Sequence, residues 1–111
     1  MLKVSQLIKI FDEERVLDRV DLNVPPNTIQ GIIGPPGAGK TTLFHCLMGF
    51  LRPDSGEITL DGEQIIDKTP EQILLKGVAF TTTNIHLIES KTALQNIQAG
   101  MYPQIKMAVL R

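Results

Sequence analysis

Tryptophan is absent from this 111-residue chain, tyrosine occurs once and phenylalanine four times. Aromatics are few, yet the hydrophobic fraction of 42% suits a globular core. There is a single cysteine, Cys46, which excludes an internal disulfide and fits a reducing compartment. Charge of one sign is also lacking: the formal net charge is −1. That balance argues against nucleic acid or an anionic membrane as the main partner. No apolar run is long enough to span a bilayer, and the N-terminus lacks a basic-then-apolar leader pattern. Any membrane connection is therefore expected to come through another protein, without direct insertion. Internal repeats and low-complexity tracts are missing too. The length allows one small domain.

Against that background stands Gly34-Pro35-Pro36-Gly37-Ala38-Gly39-Lys40-Thr41-Thr42, which fits G-x-x-x-x-G-K-[ST]. Loops of this pattern wrap nucleotide phosphates with backbone N–H groups. Before it, Thr28-Ile29-Gln30-Gly31-Ile32-Ile33 is apolar and rich in β-branched residues, and predicts a buried strand. After it, Thr42 to Phe50 carries apolar residues at helical spacing. Strand, glycine loop and helix make successive N–H groups and a positive helix end converge on one anion. Gly34, Gly37 and Gly39 are expected to permit positive φ and close approach to phosphate. Lys40 is placed to put its ammonium between the β- and γ-phosphates. The Thr41 hydroxyl is suited to Mg²⁺, and the amides of Lys40, Thr41 and Thr42 to the α- and β-phosphates. A nucleotide polyphosphate and Mg²⁺ are thus the expected ligands.

Around the loop, 2–11 shows partial alternation and reads as a strand. A polar turn at 12–15 leads to a returning strand over 16–24, where Val16, Val20, Leu22 and Val24 alternate with polar residues. Pro25-Pro26-Asn27 breaks it. Arg52-Pro53-Asp54-Ser55-Gly56 is a turn, and Asp61-Gly62 predicts a hairpin between 57–60 and 63–66. That glycine also makes Asp61 a turn residue, not the metal-binding aspartate at a strand end that it superficially suggests. Thr69-Pro70-Glu71-Gln72 and Thr92-Ala93-Leu94-Gln95 are capping boxes that open two short helices, the first closing at Gly77. Val78-Ala79-Phe80 is a further strand candidate. Cys46 reads as a small core residue on the inward helix face with Leu43, Leu47 and Phe50. His45 and His86 have no companion ligand and are not expected to hold a metal.

Taken together, 32–44 with the loop and Gly49-Phe50-Leu51-Arg52-Pro53-Asp54-Ser55-Gly56-Glu57-Ile58 resemble the N-terminal half of an ABC transporter ATP-binding subunit. The Gly-Phe-Leu-Arg-Pro-Asp-Ser-Gly stretch is far more specific than the phosphate loop alone. Gly77-Val78-Ala79-Phe80-Thr81-Thr82-Thr83-Asn84-Ile85-His86-Leu87-Ile88 is similar to the branched-chain amino acid uptake branch. The resemblance covers about Leu2 to Gly100. It implies an α/β fold: a partial P-loop NTPase, the ABC-type nucleotide-binding domain, with an N-terminal antiparallel β subdomain. It divides the chain into a β subdomain and P-loop core over 1–77, and the γ-phosphate-sensing loop with the start of a helical subdomain over 78–111. It further implies membrane permease subunits and a second ATP-binding subunit as partners, and a peripheral cytoplasmic location on the inner face of the cell membrane. By the same resemblance Phe11 lies where an aromatic side chain stacks on adenine; the residue pattern alone equally allows a strand-end core residue.

Three departures from the family pattern qualify this. Pro36 stands where Asn or Ser is usual, and proline brings neither N–H nor side-chain donor, so a γ-phosphate contact should be lost. Thr83 falls at the position of the glutamine that reaches Mg²⁺ and the attacking water. Its shorter hydroxyl can serve the metal only through a bridging water, and Asn84 is a substitute if the loop shifts by one residue. Finally, these 111 residues hold no apolar strand ending in Asp-Glu, no Leu-Ser-Gly-Gly-Gln-type signature and no switch histidine. The expectation is an ATP-binding module that does not hydrolyse ATP by itself. The competing expectation is a non-catalytic remnant or interaction fragment with exposed strand edges. A nucleotide kinase or GTPase fits less well, because the antiparallel strands precede the loop and no Asn-Lys-x-Asp motif occurs.

Overall fold

The computed structural model describes residues 1–81 and 87–101. Two long strands, β1 (Leu2–Phe11) and β2 (Glu14–Val24), pair antiparallel through a two-residue turn. Asp12 and Glu13 both take positive φ, 47° and 66°, the handedness that matches strand twist in a tight hairpin. The expected four-residue turn is therefore shorter than the sequence indicates. β3 (Ser55–Leu60) adds to the other edge of β1, and the short β4 (Glu63–Gln64) closes the sheet in the order β2-β1-β3-β4. Asp61 (φ 50°) and Gly62 (φ 83°) form the β3–β4 turn, as the Asp-Gly pair predicts. Ile65 and Ile66 leave the strand earlier than expected, although Ile65 is buried and donates its N–H to the Ile58 carbonyl.

Strict alternation in β1 would put every second residue inward, yet both Val4 and Leu7 are buried. A bulge resolves the odd spacing. The register with β2 slips between Val4 and Leu7, where Gln6 sits at φ 49°, and slips again before Lys9, opposite Arg19 at φ 53°. Asp21 on β2 fixes the bulge by accepting from the Gln6 N–H (2.8 Å) and its side-chain amide (2.7 Å). On the far side, Gly56 (φ 102°) lets β3 pass this point, since a Cβ there would lie 2.6 Å from the Gln6 carbonyl oxygen. The bulge and the glycine together turn Val4, Leu7 and Ile58 to the buried face, joined by Leu17 of β2.

Helix α1 (Lys40–Leu47) begins two residues before the predicted start and buries Leu43, Cys46 and Leu47. Gly49 at φ 80° ends it, close against the Ile73 side chain and the Lys68 carbonyl. Phe50 does not share the inward face: it is half exposed, with its ring edge-to-face against His45 at 5.9 Å. It follows the helix-ending glycine, so helical periodicity no longer governs its direction. Burial holds the Cys46 thiol above its ordinary range, with Lys9 opposing and Asp54 adding a smaller upward push. Helix α2 (Pro70–Leu75) buries Ile73 and opens on the predicted capping box. Thr69 Oγ1 accepts from the Gln72 N–H, and Gln72 Oε1 accepts from the Thr69 N–H.

The chain divides into two compact units, Met1–Ile73 and the residues from Leu74 onward. In the second, Gly77 (φ 96°) ends the α2 turn, and Val78-Ala79-Phe80 forms no strand, contrary to the reading of its apolar run. Helix α3 (Ala93–Ala99) carries the full capping box of Thr92 and Gln95. The Asn96 side chain accepts from the Ile88 N–H at 2.9 Å and donates to the Thr92 carbonyl at 2.9 Å, pinning the turn before the helix.

The largest correction concerns 28–33. These residues form no strand, and Ile29 and Ile33 are fully exposed. A buried parallel strand needs neighbours on both edges and cover on both faces. The described sheet contains only β1 to β4, each paired antiparallel, and none of them lies beside this segment.

Candidate phosphate-binding site

The loop between Ile33 and Lys40 is built from a turn and a close approach. Pro35 to Ala38 form a β-turn closed by the Ala38 N–H donating to the Pro35 carbonyl at 3.1 Å. Proline fixes φ near −65° at Pro36, the second turn position, and Gly37 takes φ 83° at the third, which together define a type II turn. Gly39 follows at φ 100° as the N-cap of α1. A Cβ on Gly39 would lie 2.8 Å from the Val16 carbonyl oxygen and 3.1 Å from a Leu17 methyl, so only glycine lets the loop seat against β2. Gly34 differs from the expectation. Its φ is not left-handed, and its smallness serves space instead, a Cβ there meeting the Ala38 methyl at 3.1 Å.

Gly39 brings no side-chain cap to the first-turn amides of Lys40, Thr41 and Thr42. The Lys40 ammonium turns back into the loop and donates to the Gly34 carbonyl, with the Pro35 carbonyl 3.4 Å away. A cation at the loop centre beside a capless helix start is a donor set that fits a polyphosphate. Thr41 is exposed at the mouth of the helix, so its hydroxyl is accessible to a metal riding on phosphate oxygens. Among the described residues no group of three or more His, Cys, Asp or Glu side chains could hold a metal without the phosphates. Thr83, Asn84 and His86 lie outside the described residues.

Phe11 ends β1 and is 40% exposed, which removes the reading as a strand-end core residue. Lys9 Nζ stands 5.1 Å from its ring centroid, leaving the ring supported by a cation. The turn at 52–56 ties itself to the same strand: the Asp54 N–H donates to the Ile8 carbonyl, the Ile10 N–H to Asp54 Oδ2 at 2.7 Å, and Lys9 Nζ to the Arg52 carbonyl at 2.9 Å. Of these residues it is the Asp54 side chain that the bonds require, Arg52 contributing its backbone carbonyl. The role of Val16 and Leu17 as the wall behind Gly39 has no sequence signal beyond their place on a strand.

Asp61, set aside above as a metal ligand, is an exposed turn residue whose carboxylate takes the ammonium of Met1. Among the described residues, no helix is long and apolar enough to cross a membrane.

Comparison with known proteins identifies the family. The family model described as ABC transporter matches residues 17–110. The chain is 41% identical over 102 residues to the high-affinity branched-chain amino acid transport ATP-binding protein BraF of Pseudomonas aeruginosa, covering 92% of the chain and 40% of that relative. It is 34% identical over 109 residues to the galactose/methyl galactoside import ATP-binding protein MglA of Sodalis glossinidius, covering 98% of the chain and 22% of that relative. Among solved structures, it is similar to a dimeric ATP-binding cassette in a post-hydrolysis state bound to ADP and Pi. There the TM-score is 0.77 at 26% identity, over 92% of this chain and 47% of that one. The chain thus spans less than half the length of each. A glycine loop seated on β2 of an antiparallel hairpin, an Arg-Pro-Asp-Ser-Gly turn bound to its β1 and a family match over most of the sequence converge: the chain belongs to the ABC transporter ATP-binding family, on a P-loop NTPase fold.

Proposed function

We propose that this chain supplies the phosphate grip of an importer's ATP-binding subunit, holding Mg-ATP through 34–42. The observation that carries the reading is Gly39, seated against β2 and opening α1 without a side-chain cap, next to the inward-turned Lys40. In this reading Lys40 bridges the second and third phosphates, Thr41 contributes to Mg²⁺, and the exposed face of Phe11 receives adenine. Thr83 takes the metal-sensing position. The transported solute is an amino acid, with branched-chain amino acids favoured by the 41% identity to BraF over the 34% to MglA. Membrane permease subunits and a second ATP-binding subunit complete the assembly at the cytoplasmic face of the membrane.

Titration calorimetry with Mg-ATP tests this. Lys40→Ala removes one charge-assisted contact and is expected to weaken binding by about 10- to 100-fold. Unchanged affinity would sink the site assignment. The 111 residues on their own are expected to bind without turnover, since the acidic strand end and the signature motif are not among them. Steady phosphate release that Lys40→Ala abolishes would refute that part. Full exposure of Ile29 and Ile33 favours a second reading, an interaction fragment that holds little nucleotide. Absence of any nucleotide binding, together with concentration-dependent association, would select it.

A further inference from the structure

β1 outruns its partner on one side. Its pairing with β3 ends at Ile8 opposite Ser55, whereas its pairing with β2 continues to Phe11 opposite Glu14. Lys9, Ile10 and Phe11 would therefore have a ladder along one edge alone. Asp54 makes good the other edge. Its backbone N–H donates to the Ile8 carbonyl at 2.8 Å, and its carboxylate accepts from the Ile10 N–H at 2.7 Å. A side chain thus does what the next strand residue would do. Lys9 completes the join. Its side chain is only 16% exposed, lies 3.9 Å from Asp54 Oδ2 and donates to the Arg52 carbonyl at 2.9 Å. Lys9 and Phe11 are two residues apart on a strand and project from one face, which brings the ammonium 5.1 Å from the ring centroid.

We propose that Lys9 and Asp54 are positioning residues for nucleotide binding, holding the Phe11 ring as a one-sided platform for the base. The proposal rests on the reading of Phe11 as the side chain that receives adenine. Asp54 fixes the backbone that carries the ring, and the anchored cation occupies one side of its π face. The base is left the opposite side. Because the ring is ordered before the base arrives, less conformational freedom is lost on binding. Neither residue belongs to the 34–42 loop, so their effect should follow the base and not the phosphates.

Calorimetric titration of the full chain with two probes, Mg-ATP and Mg-tripolyphosphate, separates base from phosphate. Phe11→Ala is expected to weaken Mg-ATP about tenfold and to leave Mg-tripolyphosphate within about twofold. Lys9→Met keeps an apolar stem and removes the charge. It should weaken Mg-ATP about three- to tenfold, with tripolyphosphate again unmoved. Asp54→Ala should act in the same way. Asp54→Asn retains an oxygen for the Ile10 N–H and should stay within about twofold of the parent chain. Equal weakening of both probes in Lys9→Met and Asp54→Ala would overturn the proposal, because it would mark damage to the fold. So would an unchanged Mg-ATP affinity in both variants while Phe11→Ala loses it. If Phe11→Ala itself leaves Mg-ATP unchanged, the reading of the ring as a base platform fails first, and the proposal with it.

Discussion

Two stretches of this chain are apolar and rich in β-branched residues, and they meet opposite fates. β1 places Val4 and Leu7 in the core, with Leu7 at 0% exposure. The segment 28–33 leaves Ile29 and Ile33 fully in solvent. The difference is one of partners and not of composition. β1 finds β2 through a two-residue turn, so pairing is local and the loop to close is short. A strand in the middle of a parallel sheet has no such neighbour nearby; its partners must come from distant sequence. Apolar β-branched character specifies what a segment can do when covered, and topology decides whether it is covered.

The sharpest way to test that contrast is to truncate the buried side. Leu7→Ala leaves a cavity beneath the sheet and is expected to cost about 2–5 kcal/mol in denaturant unfolding. A loss below about 1 kcal/mol would mean that the sheet does not hold its core as described. A smaller effect is expected at the bulge that aims Leu7 inward. The two Gln6 hydrogen bonds, backbone first, hold the Asp21 carboxyl below its ordinary range, with Lys3 adding slightly against a small desolvation penalty. A depressed folded-state pKa means stability that is present above the unfolded value of about 3.9 and is lost as pH falls through the folded value. Asp21→Asn is thus expected to lower the melting temperature at neutral pH, with the gap to the parent chain closing in strong acid. A gap that stays constant down to that range would disconnect the bulge from this carboxylate. The smallest effect belongs to the exposed segment: Ile33→Ser should change stability by no more than about 0.5 kcal/mol. If it costs as much as Leu7→Ala, the contrast collapses and the segment is packed in solution.

The same contrast explains which features could be read from sequence. Hairpins, capping boxes and turns are local, and Asp61-Gly62, Thr69-Gln72 and Thr92-Gln95 all form as their residues dictate. The loop at 34–42 stands out as a candidate site because phosphate chemistry fixes residue types at fixed spacing. Gly39 and Lys40 take up positions suited to that chemistry, whereas Gly34 serves space and not backbone freedom. Two features were not legible. The bulge at Gln6 has no sequence signature, since it depends on Asp21 reaching across the hairpin from 15 residues away. The apolar, β-branched character of 28–33 predicts a strand only where neighbours cover it, and no local signal can supply them. Phe50 departs from the inward face for a related reason: helical spacing does not carry past Gly49, beyond the end of the helix.

The clearance behind Gly39 has a mechanical meaning. Between that glycine and the Val16 carbonyl there is no room for a methyl group, so the hairpin acts as an end stop for the phosphate loop. The loop is registered against the sheet as a part is located in a fixture, and its position carries no slack in that direction. A side chain that pushed β2 outward would thus be felt along the 34–40 loop without touching it, and sheet and loop should tolerate change only together.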